Sequence, residues 1–597
     1  MKTRKHDFAV RPLATCLGLA LWCSALLITA GARAGTGTNW TALDKAPSDG
    51  GGVETMFLLT DGTVMAQNGG STNWYRLTPD RQGSYVHGEW TNRQSMTYTR
   101  LYYASAVLPD GRLFVAGAEY GTGWGTSEVY DPVADHWREI AVPPGLVVPT
   151  NSINTNSGVN SGGFLDSGCV LLPDGRVLIS PVSPAASFFG GTVIFDPVAN
   201  SFSAGPTLAN GDASTDEQSW VKLPDDSVLS FDGALKAQRY IPSLNQWIPD
   251  HDVPLQLYDA IGGEVGAGLL LPNGNAFFLG ANGNTLVYKP TGNTNFGAWT
   301  IGPVIPGGQG APDAAAAMMV NGKILCALSG VPTVVTNIVS GVPTLVTNKF
   351  PVPTSFYEYD YSVGSTGALT QVDSPRGSLT NAGPTFNTRM LALPDGTILF
   401  SDGGSQLFVY QPSTPPLAAG KPHISSITPN GNGSYHLTGT LLNGISVGAA
   451  YGDDVQMDSN YPLVRVTDGT GNVFYLPTYN WSSTGVQTGN KLVSTEFFAF
   501  QGLTPALSYS LVAVANGISS DPVTFYGPVW VDLNSPDPAQ TGSFDFPYHT
   551  LAQGISAVPN TGTINFKTAG SIPLPSPLPL TKPMSIVAIG GPVTIGP

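Results

Sequence analysis

Residues 104 to 116 read Ala104-Ser105-Ala106-Val107-Leu108-Pro109-Asp110-Gly111-Arg112-Leu113-Phe114-Val115-Ala116. Two short apolar runs flank a tight Asp-Gly turn, the pattern of a β-hairpin. It recurs at Asp61-Gly62, Asp174-Gly175, Asp225-Asp226, Asn273-Gly274, Asn321-Gly322 and Asp395-Gly396, in steps of 49, 64, 51, 48, 48 and 74 residues. A hairpin repeat with a period of about 50 residues is the signature of propeller blades. Most units also close with two aromatics around a turn: Tyr130-Asp131-Pro132 to Trp137, Phe195-Asp196-Pro197 to Phe202, Tyr240-Ile241-Pro242 to Trp247, and Tyr288-Lys289-Pro290 to Trp299. One four-stranded unit cannot bury both faces, whereas seven around an axis can, and they leave no open edge. The expected fold is all-β, with a seven-bladed β-propeller over residues 35–415. The strand around Trp40 is expected to join the last blade after Tyr410 and close the ring.

The N-terminus reads as a secretory signal over residues 1–34. Lys2, Arg4, Lys5 and Arg11 precede the apolar run from Leu13 to Thr29, and Ala32-Arg33-Ala34 is a small-residue cleavage site. The expected location is extracellular or at the cell surface, with the periplasm as an alternative. No other stretch is long and apolar enough to span a bilayer.

The chain has 26 Lys/Arg against 41 Asp/Glu, a net charge of −15. Taking away the five bases and one acid of the signal leaves 21 and 40, a net of −19. This balance argues against nucleic acid, which demands clustered bases. Cys16 and Cys23 leave with the signal. Cys169 and Cys326 belong to different units and read as buried thiols.

Beyond the repeats, Pro415 to Gly420 is a linker, and residues 421–526 alternate as Leu463-Val464-Arg465-Val466 and Tyr509-Ser510-Leu511-Val512-Ala513-Val514 do. The size and pattern suit an immunoglobulin-like β-sandwich. Residues 527–597 form a short β-rich segment whose strands are spaced about one coil apart, like the opening rungs of a parallel β-helix. The sixth unit carries an insertion, in which Val331-Pro332-Thr333-Val334-Val335-Thr336-Asn337 is echoed by Val342-Pro343-Thr344-Leu345-Val346-Thr347-Asn348. It reads as an extra hairpin: a decoration, a lid or a partner surface.

The units resemble kelch repeats. The run from Arg100 to Gly111, with Gly448-Ala449-Ala450-Tyr451-Gly452-Asp453-Asp454 and Asn460-Tyr461-Pro462, resembles the galactose oxidase and glyoxal oxidase superfamily, specifically its secreted bacterial kelch relatives with an appended E-set domain. That resemblance implies copper held by two tyrosines and two histidines, one tyrosine being cross-linked to cysteine. Tyr102 falls at the cross-linked tyrosine. The cysteine would stand near Thr55, the Tyr-His pair at Phe386-Asn387, and the last histidine near Thr495. None is present, and His87, His136, His251, His423, His436 and His549 are not at equivalent positions. Copper is therefore not expected.

Counting eight residues back from each turn gives Val53, Tyr102, Asp166, Glu217, Val265, Asp313 and Asn387. Glu54 and Glu264 adjoin the two valines, and Arg100, Tyr103 and Arg389 lie nearby. One rim of the central channel is thus expected to be acidic. It reads as a solvated mouth, a Ca²⁺ site, a carbohydrate site with Tyr102, Tyr103, Tyr120 and Trp124 as stacking faces, or a catalytic carboxylate pair such as Asp166 with Glu217. Asp453, Asp454 and Asp458 read as a cluster on a loop, either a second candidate Ca²⁺ site or a set of turn hydrogen bonds at a domain junction.

The expected function is that of a secreted, monomeric, non-catalytic propeller that binds a polysaccharide or an extracellular or cell-surface protein at this rim. The alternative is a carbohydrate-active enzyme, either a divergent copper radical oxidase or a carboxylate-dependent glycan hydrolase or lyase.

Overall fold

A computed structural model describes residues 39–143, 145–146, 164, 167–181, 191–210, 217–339, 342–378, 380–451, 455–458, 460–499, 502–573 and 578–596. The signal segment, Asp166, Asp453 and Asp454 lie outside the described residues.

The chain is nearly all β, as a β-propeller plus a β-sandwich would be. Among the described residues, seven sheets between Trp40 and Tyr410 each contain a run of four hydrogen-bonded antiparallel strands. The second, for example, runs Ala104–Val107, Leu113–Ala116, Ser127–Asp131 and His136–Ile140. Each repeat turn joins the first strand of a sheet to its second. The second turn residue has φ between 65° and 91° in all seven. That region favours glycine, which fills six of the seven positions; Asp226 holds the seventh at φ 65°. The preceding Asp or Asn accepts from the backbone two residues on, as Asp110 Oδ1 does from Arg112 N at 3.1 Å.

The paired aromatics face one another across the third and fourth strands: Tyr130 opposite Trp137, Phe195 opposite Phe202, Tyr240 opposite Trp247 and Tyr288 opposite Trp299. Neighbouring sheets interlock through further rings, with Phe114 stacked on Phe195 at 4.4 Å and Phe277 on Tyr359 at 3.8 Å. The seventh sheet, Arg389–Ala392, Ile398–Ser401 and Phe408–Tyr410, takes its fourth strand from the other end of the chain: Trp40 pairs with Tyr410. Cys169 and Cys326 are buried thiols outside any disulfide, and Cys169 Sγ donates to Ser105 O at 3.0 Å.

Two further antiparallel sheets follow. One holds His423–Pro429, Ser434–Thr440, Val493–Phe498 and Thr478–Tyr479, and the other is centred on Leu463–Thr467 and Ser508–Ala515. They share a core of Leu437, Val464, Val466, Phe497, Leu511 and Phe525. This unit lies against the repeat turns. Lys222 Nζ donates to Thr484 O at 3.0 Å, and Gln487 Nε2 to Leu271 O at 2.6 Å.

A hairpin of this second unit leaves it altogether. Gly448–Tyr451 pairs with Val455–Asp458, and also with the inner strand Ala316–Met318, setting Ala450 opposite Ala316. The pair touches the inner strands Met56–Leu58, Ala104–Val107, Gly168–Leu171, Gly268–Leu270 and Arg389–Ala392. It therefore stands where the inner strands converge. This corrects the reading of Asp458 as a loop residue: its backbone is in a strand, opposite Gly448.

Near the C-terminus, Val529–Val531, Thr563–Phe566 and Ser585–Ala588 pair in parallel, as do Gly570–Ile572 and Val593–Ile595. An α-helix, Leu551–Ala557, begins with a capping box between Thr550 and Gln553. Among the described residues, no helix is long and apolar enough to cross a membrane.

Candidate functional site

Each inner strand is preceded by a short irregular segment at the end away from the repeat turns. Tyr102, Glu217 and Asp313 sit there with φ of 55°, 60° and 43°. Side chains rarely hold this region without a structural reason, and such residues cluster at ligand sites. Glu217, Glu264 and Asp313 precede the inner strands of the fourth, fifth and sixth sheets. Each offers a carboxylate oxygen, and the three oxygens lie within 4.8 Å of one another. Among the described residues, no other group of three or more His, Cys, Asp and Glu side chains comes as close.

Glu264 is held from beneath. Its N–H donates to Asp259 Oδ2 at 2.9 Å, and its carbonyl accepts from Asp259 N at 3.1 Å. Asp259 Oδ1 also takes the N–H groups of Ile261 and Gly262, at 2.7 and 2.5 Å. A Cβ on Gly262 would meet Glu264 Cγ at 2.8 Å, so glycine keeps the carboxyl in place. Tyr258 Oη donates to the Glu217 carbonyl at 3.2 Å, tying the fourth and fifth sheets together. Lys349 Nζ lies 3.4 Å from Glu264 Oε1.

Glu264 is 2% exposed. Burial raises its pKa above the ordinary carboxyl value and the Asp259 charge adds to that, while Glu217 and Lys349 oppose it. Because the folded value lies above the unfolded one, the contribution of Glu264 to stability is fully present below about pH 4.3 and is lost as pH rises through its higher folded pKa. Glu264→Gln, permanently neutral, is expected to melt above wild type at pH 7 and level with it near pH 4. Thermal melts across that range check this; equal melting at pH 7 would mean that Lys349 fully offsets the burial.

Across the rim, Arg389 reaches Glu54 with Nη2 to Oε2 at 3.2 Å and donates to the carbonyls of Phe386 and Thr388. Its guanidinium carbon lies 5.9 Å from the centre of the Tyr102 ring, which packs edge-on to Tyr120 at 6.1 Å. Asn387 borders this group, its side chain next to Gly403. Phe350, which follows Lys349, packs on Phe386 at 4.8 Å, so the foot of the inserted hairpin lies against the rim.

Two residues expected at the rim are turned away from it. Arg100 is completely buried: Nη1 donates to Gly117 O at 2.7 Å, and Nη2 pairs with Glu128 at 3.0 Å. Tyr103 is 2% exposed and donates to Gln67 Oε1 at 2.5 Å. Tyr102, between them, breaks the extended path with its φ of 55° and stays partly exposed.

Lys349, Asp259 and Tyr258 were not anticipated. A signal existed for Lys349, the first charge in the chain after Lys323. Asp259 looked like any loop acid, because its acceptors matter only once Glu264 has folded over it.

Among the described residues, the three donors that come together are all carboxylate oxygens, with no imidazole among them. The Arg389 guanidinium and the Tyr120 ring lie beside Tyr102. His87 pairs with Asp44, His436 with Glu496, and His136 lies on Gln94, all away from the rim acids. Thr495, where the resemblance calls for an imidazole, is buried and donates to Tyr479 O at 3.1 Å.

No protein-family model matches the chain, and no curated protein matches it. Among solved structures, it is similar to a fungal alcohol oxidase described as catalytically diverse within the AA5 family and in complex with copper. The identity is 13% and the TM-score 0.41, over 82% of this chain and 99% of that one. It is also similar to the protein YjhT, at 12% identity and a TM-score of 0.32, over 55% of this chain and 99% of that one.

Proposed function

We propose that this is a secreted, non-catalytic protein that binds a neutral carbohydrate at the acidic rim. In this reading the seven sheets are blades of one closed kelch-type ring over residues 35–415, the unit at 421–526 is immunoglobulin-like, and residues 1–34 direct export. The observation that carries the proposal is the convergence of Glu217, Glu264 and Asp313 from three consecutive sheets. Carboxylates accept sugar hydroxyls through charge-assisted hydrogen bonds, and the Tyr102–Tyr120 pair supplies a ring face nearby. If a cation takes part, its chemistry is that of Ca²⁺, since the three donors are oxygens.

A glycan array with the full chain, run with calcium and with chelator, tests this. Glu217→Gln keeps the shape of the side chain and removes its charge. It is expected to weaken binding about 10- to 100-fold, the worth of one charged hydrogen bond. A glycan bound equally well by wild type and Glu217→Gln removes the rim from the account. Binding confined to proteins would move the ligand class to the protein alternative.

A further inference from the structure

The insertion in the sixth sheet forms a hairpin of Thr333–Val339 with Val342–Asn348. Among the described residues, those two strands make a sheet of their own. A lone two-stranded ribbon is marginal in water. Val334, Ile338 and Leu345 lie on one face and are 52%, 76% and 73% exposed. The second strand carries Pro343, which blunts an edge; the first strand, Thr333–Val339, has no proline and no charge. Residues 324–348 contain no charged side chain, in a chain whose net charge is −15. Two anionic copies can approach here with the least repulsion.

The sequence says what fits that open edge. Val331 to Asn337 and Val342 to Asn348 agree at six of seven positions. On one side, the first strand already accepts a strand of this sequence, with Val335 opposite Val346, Thr336 opposite Leu345 and Asn337 opposite Thr344. The first strand of another copy offers the same side-chain order to the other side. Carrying the register across the repeat sets Val335 opposite Val335, and Thr336 opposite Val334.

We propose that the free edge of Thr333–Val339 pairs with the same strand of a second copy, antiparallel about a two-fold axis at Val335. The result is a four-stranded sheet shared by two chains, an isologous contact of β-augmentation type. This departs from the monomer expected from sequence, and it stands independently of what the rim binds. An edge contact of this length is smaller than a standard interface, so association is weak, on the order of tens of micromolar.

Sedimentation velocity of the full chain, up to roughly 200 µM, tests it. Wild type is expected to shift from monomer toward dimer with concentration. Val335→Asp and Val335→Lys each set like charges opposite one another and are expected to weaken association by at least about tenfold. An equimolar mixture of the two is expected to recover the dimer, because opposite charges then meet on the axis. A wild type that stays monomeric, a dimer that survives both substitutions, or variants that do not recover on mixing would each overturn the proposal.

Discussion

Arg100→Ala is expected to destabilise the protein by about 3–5 kcal/mol, because it leaves Glu128 charged and buried with no cation beside it. Both side chains are completely buried. Glu128 Oε1 also accepts Thr97 N at 2.7 Å, so the pair fastens the segment before the inner strand to the third strand of the second sheet. Arg100→Met with Glu128→Leu removes both charges and is expected to recover most of the loss. Denaturant titrations of the two variants decide this. A loss below about 1 kcal/mol for Arg100→Ala would put Arg100 in contact with water at the rim, where sequence alone had set it.

Trp40→Ala is expected to cost about 3–5 kcal/mol, the range for removing a large aromatic from a packed site. Trp40 is 4% exposed and lies edge-on to Phe356, Phe400 and Tyr410 at 5.3, 5.4 and 4.8 Å. Its indole N–H donates to Asp373 O at 2.6 Å. The penalty is large for a three-residue strand because that strand is the seam joining the two ends of the repeat region. Thermal unfolding followed by tryptophan fluorescence measures it, and a variant melting within a degree of wild type would show that the seam bears no strain-resisting role.

The repeat region was legible because its signals are local. An Asp-Gly turn fixes a hairpin within five residues, and the Tyr130–Trp137 pattern fixes the next turn in the same way. Counting from the turns found Glu217 and Asp313 because the inner strands have similar lengths, so a fixed offset lands on the same rim. Arg100 and Tyr103 were set at the rim only because they adjoin Tyr102, and nearness along the backbone does not fix where a side chain points. The hairpin at Gly448–Tyr451 and Val455–Asp458 was hidden for another reason. Its partner strand, Ala316–Met318, lies far back in the sequence, and no local pattern encodes that pairing. Lys349 was missed because the insertion read as decoration, whereas the charge at its foot bears on Glu264.

The most direct test of the account is a structure of the full chain determined with the oligosaccharide selected on the array. Sugar hydroxyls are expected within hydrogen-bond distance of Glu217, Glu264 and Asp313. Sugar bound at the repeat-turn end of the ring, or on the stacked Tyr479–Phe498 pair of the second unit, with the three acids untouched, would contradict it.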